Sequence, residues 1–182
     1  MRLIEPTIEY DQQIRAYRKE FLDCGDSMDG TGALGRFENP QGWILYSDSY
    51  KNPLTVPKGR VPSTQYMLIR DEDQKIVGMI QIRHYFNDYL EQYGGHIGYS
   101  VAPSERRKGY ATQMLKMALP ECKKLGLNKV LITCISGNEG SKRTILNNGG
   151  IYESTVYESK KGVYLERYWI VLSCVKGGAE RT

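Results

Sequence analysis

Three consecutive cations, Arg106, Arg107 and Lys108, stand directly before Gly109 and a long amphipathic run. They follow an apolar stretch, Ile97 to Val101, and Pro103. A helix start offers unpaired backbone N–H groups and a positive dipole end, and a glycine lets a ligand approach the backbone closely. The chemistry offered is the cradling of a phosphorylated ligand, and the plain alternative is a charged surface turn. The chain has two histidines, and His96 lies on the stretch that leads into this loop. An imidazole there suits a general base, set against a structural histidine bonding across a sheet. His84 and Glu91 are lesser candidates, and Asp88 reads as a turn aspartate that could instead meet a cationic ligand. Cys24, Cys122, Cys134 and Cys174 lie far apart, with no CxxC and no nearby histidine partner. They read as reduced thiols rather than a disulfide frame or metal site, and Cys134, in an apolar run, as buried filling.

The elements that must position these groups are legible from periodicity. A chain of 182 residues suits one domain, taken as 1–175 with a polar, frayed tail from Lys176. The net charge of +4 is mild, and the basic pairs are scattered, so no nucleic acid is expected. No apolar stretch approaches the ~20 residues of a membrane span, and the first residues lack the apolar core of a signal peptide. A cytoplasmic protein without membrane attachment is the expectation.

Residues 2–5 suit a short strand ended by Pro6, and Tyr10, Ile14, Tyr17 and Phe21 recur at helical spacing. Residues 25–63 are rich in Gly, Pro, Asp and Ser, a looped or short-helix segment of the kind used as a lid or binding loop. Two strand-like runs, TQYMLIRD and KIVGMIQIRHY, are separated by a hairpin-length polar connection, and GHIGYSV forms a third. After the cationic loop, Ala111, Met114, Leu115, Ala118, Leu119, Cys122 and Leu125 share one helix face, which Pro120 is expected to kink or interrupt. KVLITCI is a buried-type strand, Glu139 to Asn147 a short helix, and IYESTVYE and YLERYWIVL two final strands. The order predicts an α/β (α+β) domain with a single mixed, mostly antiparallel sheet flanked by helices.

Two phosphate motifs are absent: neither G-x-x-x-x-G-K-[ST] nor G-x-G-x-x-G occurs. What remains is R-x-x-G-x-A, as Arg106-Arg107-Lys108-Gly109-Tyr110-Ala111, with Thr112 adding a hydroxyl. This loop follows a strand ending in Val101-Ala102-Pro103, and a helix, a buried strand and Asn138-x-x-Ser141 come after it. The arrangement resembles the GNAT superfamily of acyl-CoA-dependent N-acetyltransferases, from about Gln65 to Leu172. HIGYSVAPSERRKGYA beside a downstream NGG is similar to a bacterial-type branch of predicted acetyltransferases.

The resemblance implies that residues 64–172 form the cofactor-binding core and 1–63 the family's variable helical part. It implies acetyl-CoA as cosubstrate without a metal, its pyrophosphate on the backbone from Arg106 through Thr112. Arg107 and Lys108 either add charge there or face solvent. The strand ending at Val101 is expected to carry a bulge and splay from Lys129–Ile135. Unpaired backbone groups at Tyr99, Ser100 and Val101 would then bond the pantetheine arm and aim at the thioester oxygen. Asn138 and Ser141 align with positions contacting the arm and the outer cofactor, Asn138 doubling as a helix cap.

The family often places a tyrosine acid where this chain has Ile145, so Tyr99 or Tyr152 is a substitute, or the thiolate leaves without an acid. The implied activity is transfer of acetyl to a primary amine of a small molecule or peptide, by direct attack in a ternary complex. The acceptor enters between residues 25–63 and the final two-strand arm. A homodimer is compatible with the family's habits. A non-catalytic acyl-CoA-binding or sensor module is the alternative, with Ile145 as its support.

Overall fold

The structure, a computed structural model, describes residues 1–172. The expected tail from Lys176 and Cys174 lie outside the described residues. Strand β1 (Arg2–Ile4) is followed by helix α1 (Asp11–Cys24), which buries Ile14, Tyr17 and Phe21 on one face. The helix closes with paired bonds from Gly25 N–H to Leu22 and from Asp26 N–H to Phe21. Within the segment read as loop or short helix lies α2 (Pro40–Ser49). Its start carries two recognisable signals, Pro40 at the first position and the Asn39 side chain accepting from Gln41 N–H at 3.0 Å.

Strands β2 (Ser63–Arg70), β3 (Lys75–Arg83) and β4 (Ile97–Val101) follow, with a five-residue π turn, Leu90–Gly94, before β4. Helix α3 (Tyr110–Lys124), strand β5 (Lys129–Ile135), helix α4 (Glu139–Leu146) and strands β6 (Ile151–Glu158) and β7 (Val163–Val171) complete the fold. Pro120 neither ends nor divides α3, against expectation. Pro120 and Lys116, whose carbonyl loses its helical partner, are both exposed, so water can satisfy the freed group.

The α/β class with antiparallel pairing holds, and the sheet is resolved into two. One has the order β1-β2-β3-β4 and the other β5-β7-β6, every ladder antiparallel. Between β4 and β5 there is no ladder, although the two strands are neighbours. One hydrophobic cluster joins the sheets to α3 and α4 through Ile80, Ile97, Met114, Leu115, Ile132, Ile145 and Tyr168. A second packs α1 and α2 on the opposite face of β2 and β3, through Phe21, Trp43, Met67 and Met79. The seam between the sheets therefore has a helical layer on either side.

Candidate active site

The seam is pinned at one end by His96. Its N–H donates to the Leu131 carbonyl at 2.7 Å, and its Nδ1 accepts from Leu131 N–H at 2.9 Å. Both backbone groups of Leu131 are thus held by one residue, as a strand neighbour would hold them. The ring is buried, lies 3.9 Å from Phe86 between centroids, and has its pKa pulled down to about 4 by burial and by Arg83. With its N–H and Nδ1 both engaged by Leu131, His96 clamps the two strands across the seam.

Beyond His96 the strands part. At the two ends of the β3–β4 ladder Arg83 N–H donates to His96 and Ala102 N–H to Val77. Antiparallel alternation between those ends places the bonded pairs at Gly98–Gln81 and Ser100–Met79. The N–H and C=O groups of Tyr99 and Val101 consequently point away from β3, into the seam. Ser100 differs, since its backbone is turned to β3 and its carbonyl also accepts from the Tyr17 hydroxyl at 3.0 Å. The expected bulge in β4 is absent: the register with β3 runs unbroken from Ile97 to Val101. The splay arises on the other side, where β5 spends its pairing on β7 instead.

The cationic loop sits at the open end of this seam. Gly109 caps α3 with φ of 81°, and no side chain caps the helix, so the N–H groups of Tyr110, Ala111 and Thr112 have no capping partner. A Cβ built at Gly109 would meet nothing within 4 Å, so the space above the backbone is open. Arg107 and Lys108 are exposed, and Arg107 also adopts a left-handed conformation, with φ of 64°. Arg106 is turned back against the protein: its guanidinium pairs with Asp26 at 2.7 Å and its Nε reaches the Val101 carbonyl at 3.4 Å. The Arg106 N–H is directed at Pro103, which leaves the anion-facing backbone to begin after it. Thr112 accepts from the Asn148 side chain through its carbonyl.

Glu105, absent from the sequence reading, organises the loop. Its carboxylate is buried and takes Lys75 at 2.7 Å, Arg70 at 2.9 Å and Lys108 at 2.9 Å. These contacts hold its pKa down at about 2, the bond from Lys75 leading. Arg70 also donates to the Tyr110 hydroxyl at 3.1 Å, which fixes the first residue of α3. Helix α1 and the turn after it brace the same loop, Glu20 accepting from Ser104 N–H and Asp26 holding Arg106.

On the α3–α4 side, Tyr99 reaches across the seam to α4. Its hydroxyl lies 2.8 Å from the Ser141 hydroxyl, and burial pushes its pKa up to about 12. Asn138 caps α4 by accepting from Ser141 N–H at 3.1 Å. Ile145 is fully buried in the core and offers nothing to the seam. The remaining candidates lie elsewhere. His84 bonds Thr64 at 2.9 Å, and the Tyr152 hydroxyl bonds Thr155 on an exposed face. Asp88 and Glu91 line a cavity of about 530 Å³ with Glu153 and Arg167.

A family model described as "Acetyltransferase (GNAT) family" matches residues 33–147, which is more than half of the chain. The chain belongs to this family. It is an N-acetyltransferase, and acetyl-CoA is the cosubstrate that goes with that membership. No curated protein matches it. Among solved structures, ribosomal-protein-S5-alanine acetyltransferase from Vibrio fischeri aligns over 96% of this chain and 94% of its own, with 15% identity and a TM-score of 0.68. A variant of spermidine N-acetyltransferase from Vibrio cholerae aligns over 94% and 95%, with 13% identity and a TM-score of 0.64. A Salmonella typhimurium protein described as an acetyltransferase, with its cofactor acetyl-CoA, aligns over 99% and 98%, with 11% identity and a TM-score of 0.63. At these identities the likeness is one of fold. The residues present fit the cosubstrate: an uncapped helix start with open space above Gly109 suits a pyrophosphate, and backbone groups turned into an open seam suit an amide-bearing arm.

Proposed function

We propose that the N-acetyltransferase carries acetyl to a primary amine by direct attack, with both substrates bound together. The observation that carries this reading is the seam itself, where Tyr99 and Val101 turn unladdered backbone groups towards the gap beside the start of α3. Acetyl-CoA supplies an activated acyl carbon. The backbone of residues 107–112 holds its pyrophosphate, Arg107 and Lys108 add positive charge, and an N–H in the Tyr99–Val101 stretch polarises the carbonyl.

In the transfer the amine nitrogen bonds the acyl carbon and the carbon–sulfur bond breaks. The amine releases a proton to water, and the thiolate takes one. Tyr99 is the residue we assign to that last step, because its hydroxyl keeps its proton across the neutral range and Ser141 can replenish it. No side chain in the seam suits a covalent acyl intermediate, and Cys134 has its thiol pushed up to about 11 by burial.

The free cysteines Cys24, Cys122 and Cys134 support a reducing, cytoplasmic setting. Assembly of two copies through the exposed edge strand β6 belongs to the same reading. A dodecameric form is described for the spermidine N-acetyltransferase of Vibrio cholerae.

The test joins two measurements. CoA is expected to raise the melting temperature, and acetyl-CoA to be consumed with at least one member of a panel of amino acids, polyamines, aminoglycosides and peptide N-termini. Failure of CoA to bind would overturn the reading. Binding without turnover on any amine would favour an acyl-CoA sensor.

A further inference from the structure

The π turn that precedes β4 closes with Gly95 N–H on the Leu90 carbonyl at 2.7 Å, while the next N–H, that of His96, crosses to Leu131. The carbonyls of residues 91–95 are thus left without helical donors, as at any helix end. Side chains from three strands take that place. Arg167 on β7 donates to the carbonyls of Glu91 and Gln92, each at 2.6 Å. The Thr133 hydroxyl on β5 donates to the Tyr93 carbonyl at 2.8 Å. Arg83 on β3 donates through Nη1 to the carbonyls of Gly94 at 3.0 Å and Gly95 at 3.2 Å, and its backbone N–H takes the His96 carbonyl at 2.8 Å. Every carbonyl from Glu91 to His96 is therefore held by a residue of the two sheets.

Arg83 belongs to one sheet, Thr133 and Arg167 to the other, and no ladder joins the sheets. The turn is a bracket between them, beside the His96 bonds to Leu131. A Cβ built at Gly95 would stand 2.5 Å from the Leu131 carbonyl oxygen, so the turn cannot come closer to β5. Thr133 and Arg167 keep it from drawing away. Arg167 is fixed in turn by Glu153 at 2.6 Å, which also takes Trp169 Nε1 at 2.8 Å. Further along β4, the backbone of Gly30 rests directly on Gly98 and Tyr99, and a Cβ built at Gly30 would stand 2.5 Å from Tyr99 Cα.

Tyr99 lies past His96 by about 10 Å of strand, so a tilt of about 6° at the turn carries its backbone about 1 Å. A displacement of that size at a reacting centre costs about 10²-fold in rate. We propose that the turn sets how far the two sheets part, and that Arg83 and Thr133, acting through it, are positioning residues for the backbone N–H that polarises the thioester. The inference rests on the acetyl-transfer reading of the seam. It gives Arg83 and Thr133 no contact with either substrate; their effect reaches the reaction through the angle between β4 and β5.

The probe is acetyl-CoA carrying a carbon-13 label at the thioester carbonyl, read by difference infrared spectroscopy with no acceptor present. In the wild type the bound carbonyl band is expected below that of free acetyl-CoA, because an N–H donated to the oxygen weakens the double bond. Thr133→Val keeps the shape and removes the hydroxyl. It is expected to return the band at least halfway to its free position, and Thr133→Ser to restore the wild-type band. With the amine of the panel that is used fastest, kcat is expected to fall about 10-fold or more in Thr133→Val and to recover in Thr133→Ser. CoA affinity by calorimetry is expected to change little, since residues 107–112 are no part of the bracket. Arg83→Met is expected to act in the same direction, and the Thr133 pair serves if Arg83→Met fails to fold.

A band that stays at its wild-type position in Thr133→Val would overturn the proposal. So would a loss of stability with kcat unchanged, which is what a merely structural tie produces, or a Thr133→Ser variant that restores neither band nor kcat. A wild-type band that does not move on binding would instead strike the reading on which the proposal rests.

Discussion

The Tyr17 hydroxyl stands 3.0 Å from the Ser100 carbonyl oxygen and 3.1 Å from the Ser100 hydroxyl, which ties α1 to the end of β4 next to the seam. Tyr17 is almost fully buried, and burial raises its pKa, so the phenol stays protonated and donating. Tyr17→Phe keeps the packing and deletes both contacts. The expected loss is about 1 kcal/mol of stability, measured by urea unfolding. Because Ser100 lies between Tyr99 and Val101, kcat is expected to fall while the KM for acetyl-CoA changes little.

Gly109 tests the cofactor cradle. Its φ of 81° and the open space around it mean that a side chain there meets the ligand before it meets the protein. Gly109→Val is expected to cost on the order of 1–2 kcal/mol from the left-handed backbone alone. CoA affinity, read by calorimetry, is expected to fall well beyond what Gly109→Ala produces. Equal affinity in the wild type and the valine variant would remove the pyrophosphate from this loop.

Tyr99→Phe tests the proton donor. The variant is expected to lose about 10²-fold in kcat, the lower range for general acid catalysis, with acetyl-CoA KM nearly unchanged. Ser141→Ala leaves the phenol in place but removes its 2.8 Å partner, so a smaller loss is expected. Full activity in Tyr99→Phe would mean that the thiolate leaves without an acid from this residue.

His96 makes a prediction about acid. Its folded pKa of about 4 lies below the ordinary value near 6.5, so the unfolded chain binds more protons between these values. The stabilisation is complete above ~6.5 and is lost as pH falls towards ~4, on the order of 3 kcal/mol in all. His96→Asn can still accept from Leu131 N–H but does not titrate. Its unfolding free energy is expected to depend less steeply on pH across that window, by chemical denaturation at several pH values.

Glu105→Gln tests how the loop is held. Removing the charge that gathers Arg70, Lys75 and Lys108 is expected to lower stability by about 2 kcal/mol, more at low salt than at high. It also frees Lys108, so CoA affinity is expected to hold or rise. A calorimetric loss of affinity would show that the carboxylate shapes the cradle itself.

Strong periodicity explains why β2, β3, α3 and β5 could be read from the sequence to within a residue or two. Helix α2 was obscured because its apolar patch is short, although Asn39 and Pro40 mark its start. Gly109 and the strand before it were legible as a pair, since loop chemistry and strand end are adjacent in the chain. Glu105 was not. In a run of cations a glutamate reads as solvated, and the residues that bury it, Arg70 and Lys75, come from a hairpin some thirty positions earlier. The packing of Gly30 on Gly98 met the same obstacle, because only the folded sheet brings the loop over β4. The bond from Leu131 to His96 was not legible either, because only the fold brings the two strands together.

The meeting of Gly30 and Gly98 has an evolutionary corollary. Any side chain at position 30 would stand 2.1 Å from the Gly98 carbonyl oxygen, and Gly30 itself has a φ of 70°. The loop can therefore rest on β4 only as bare backbone on bare backbone. Descendants of this sequence cannot adjust that contact by small changes. Diversification is pushed to the flanks of the loop, and a lineage that abandons either glycine has to rebuild the contact from both sides in the same stroke.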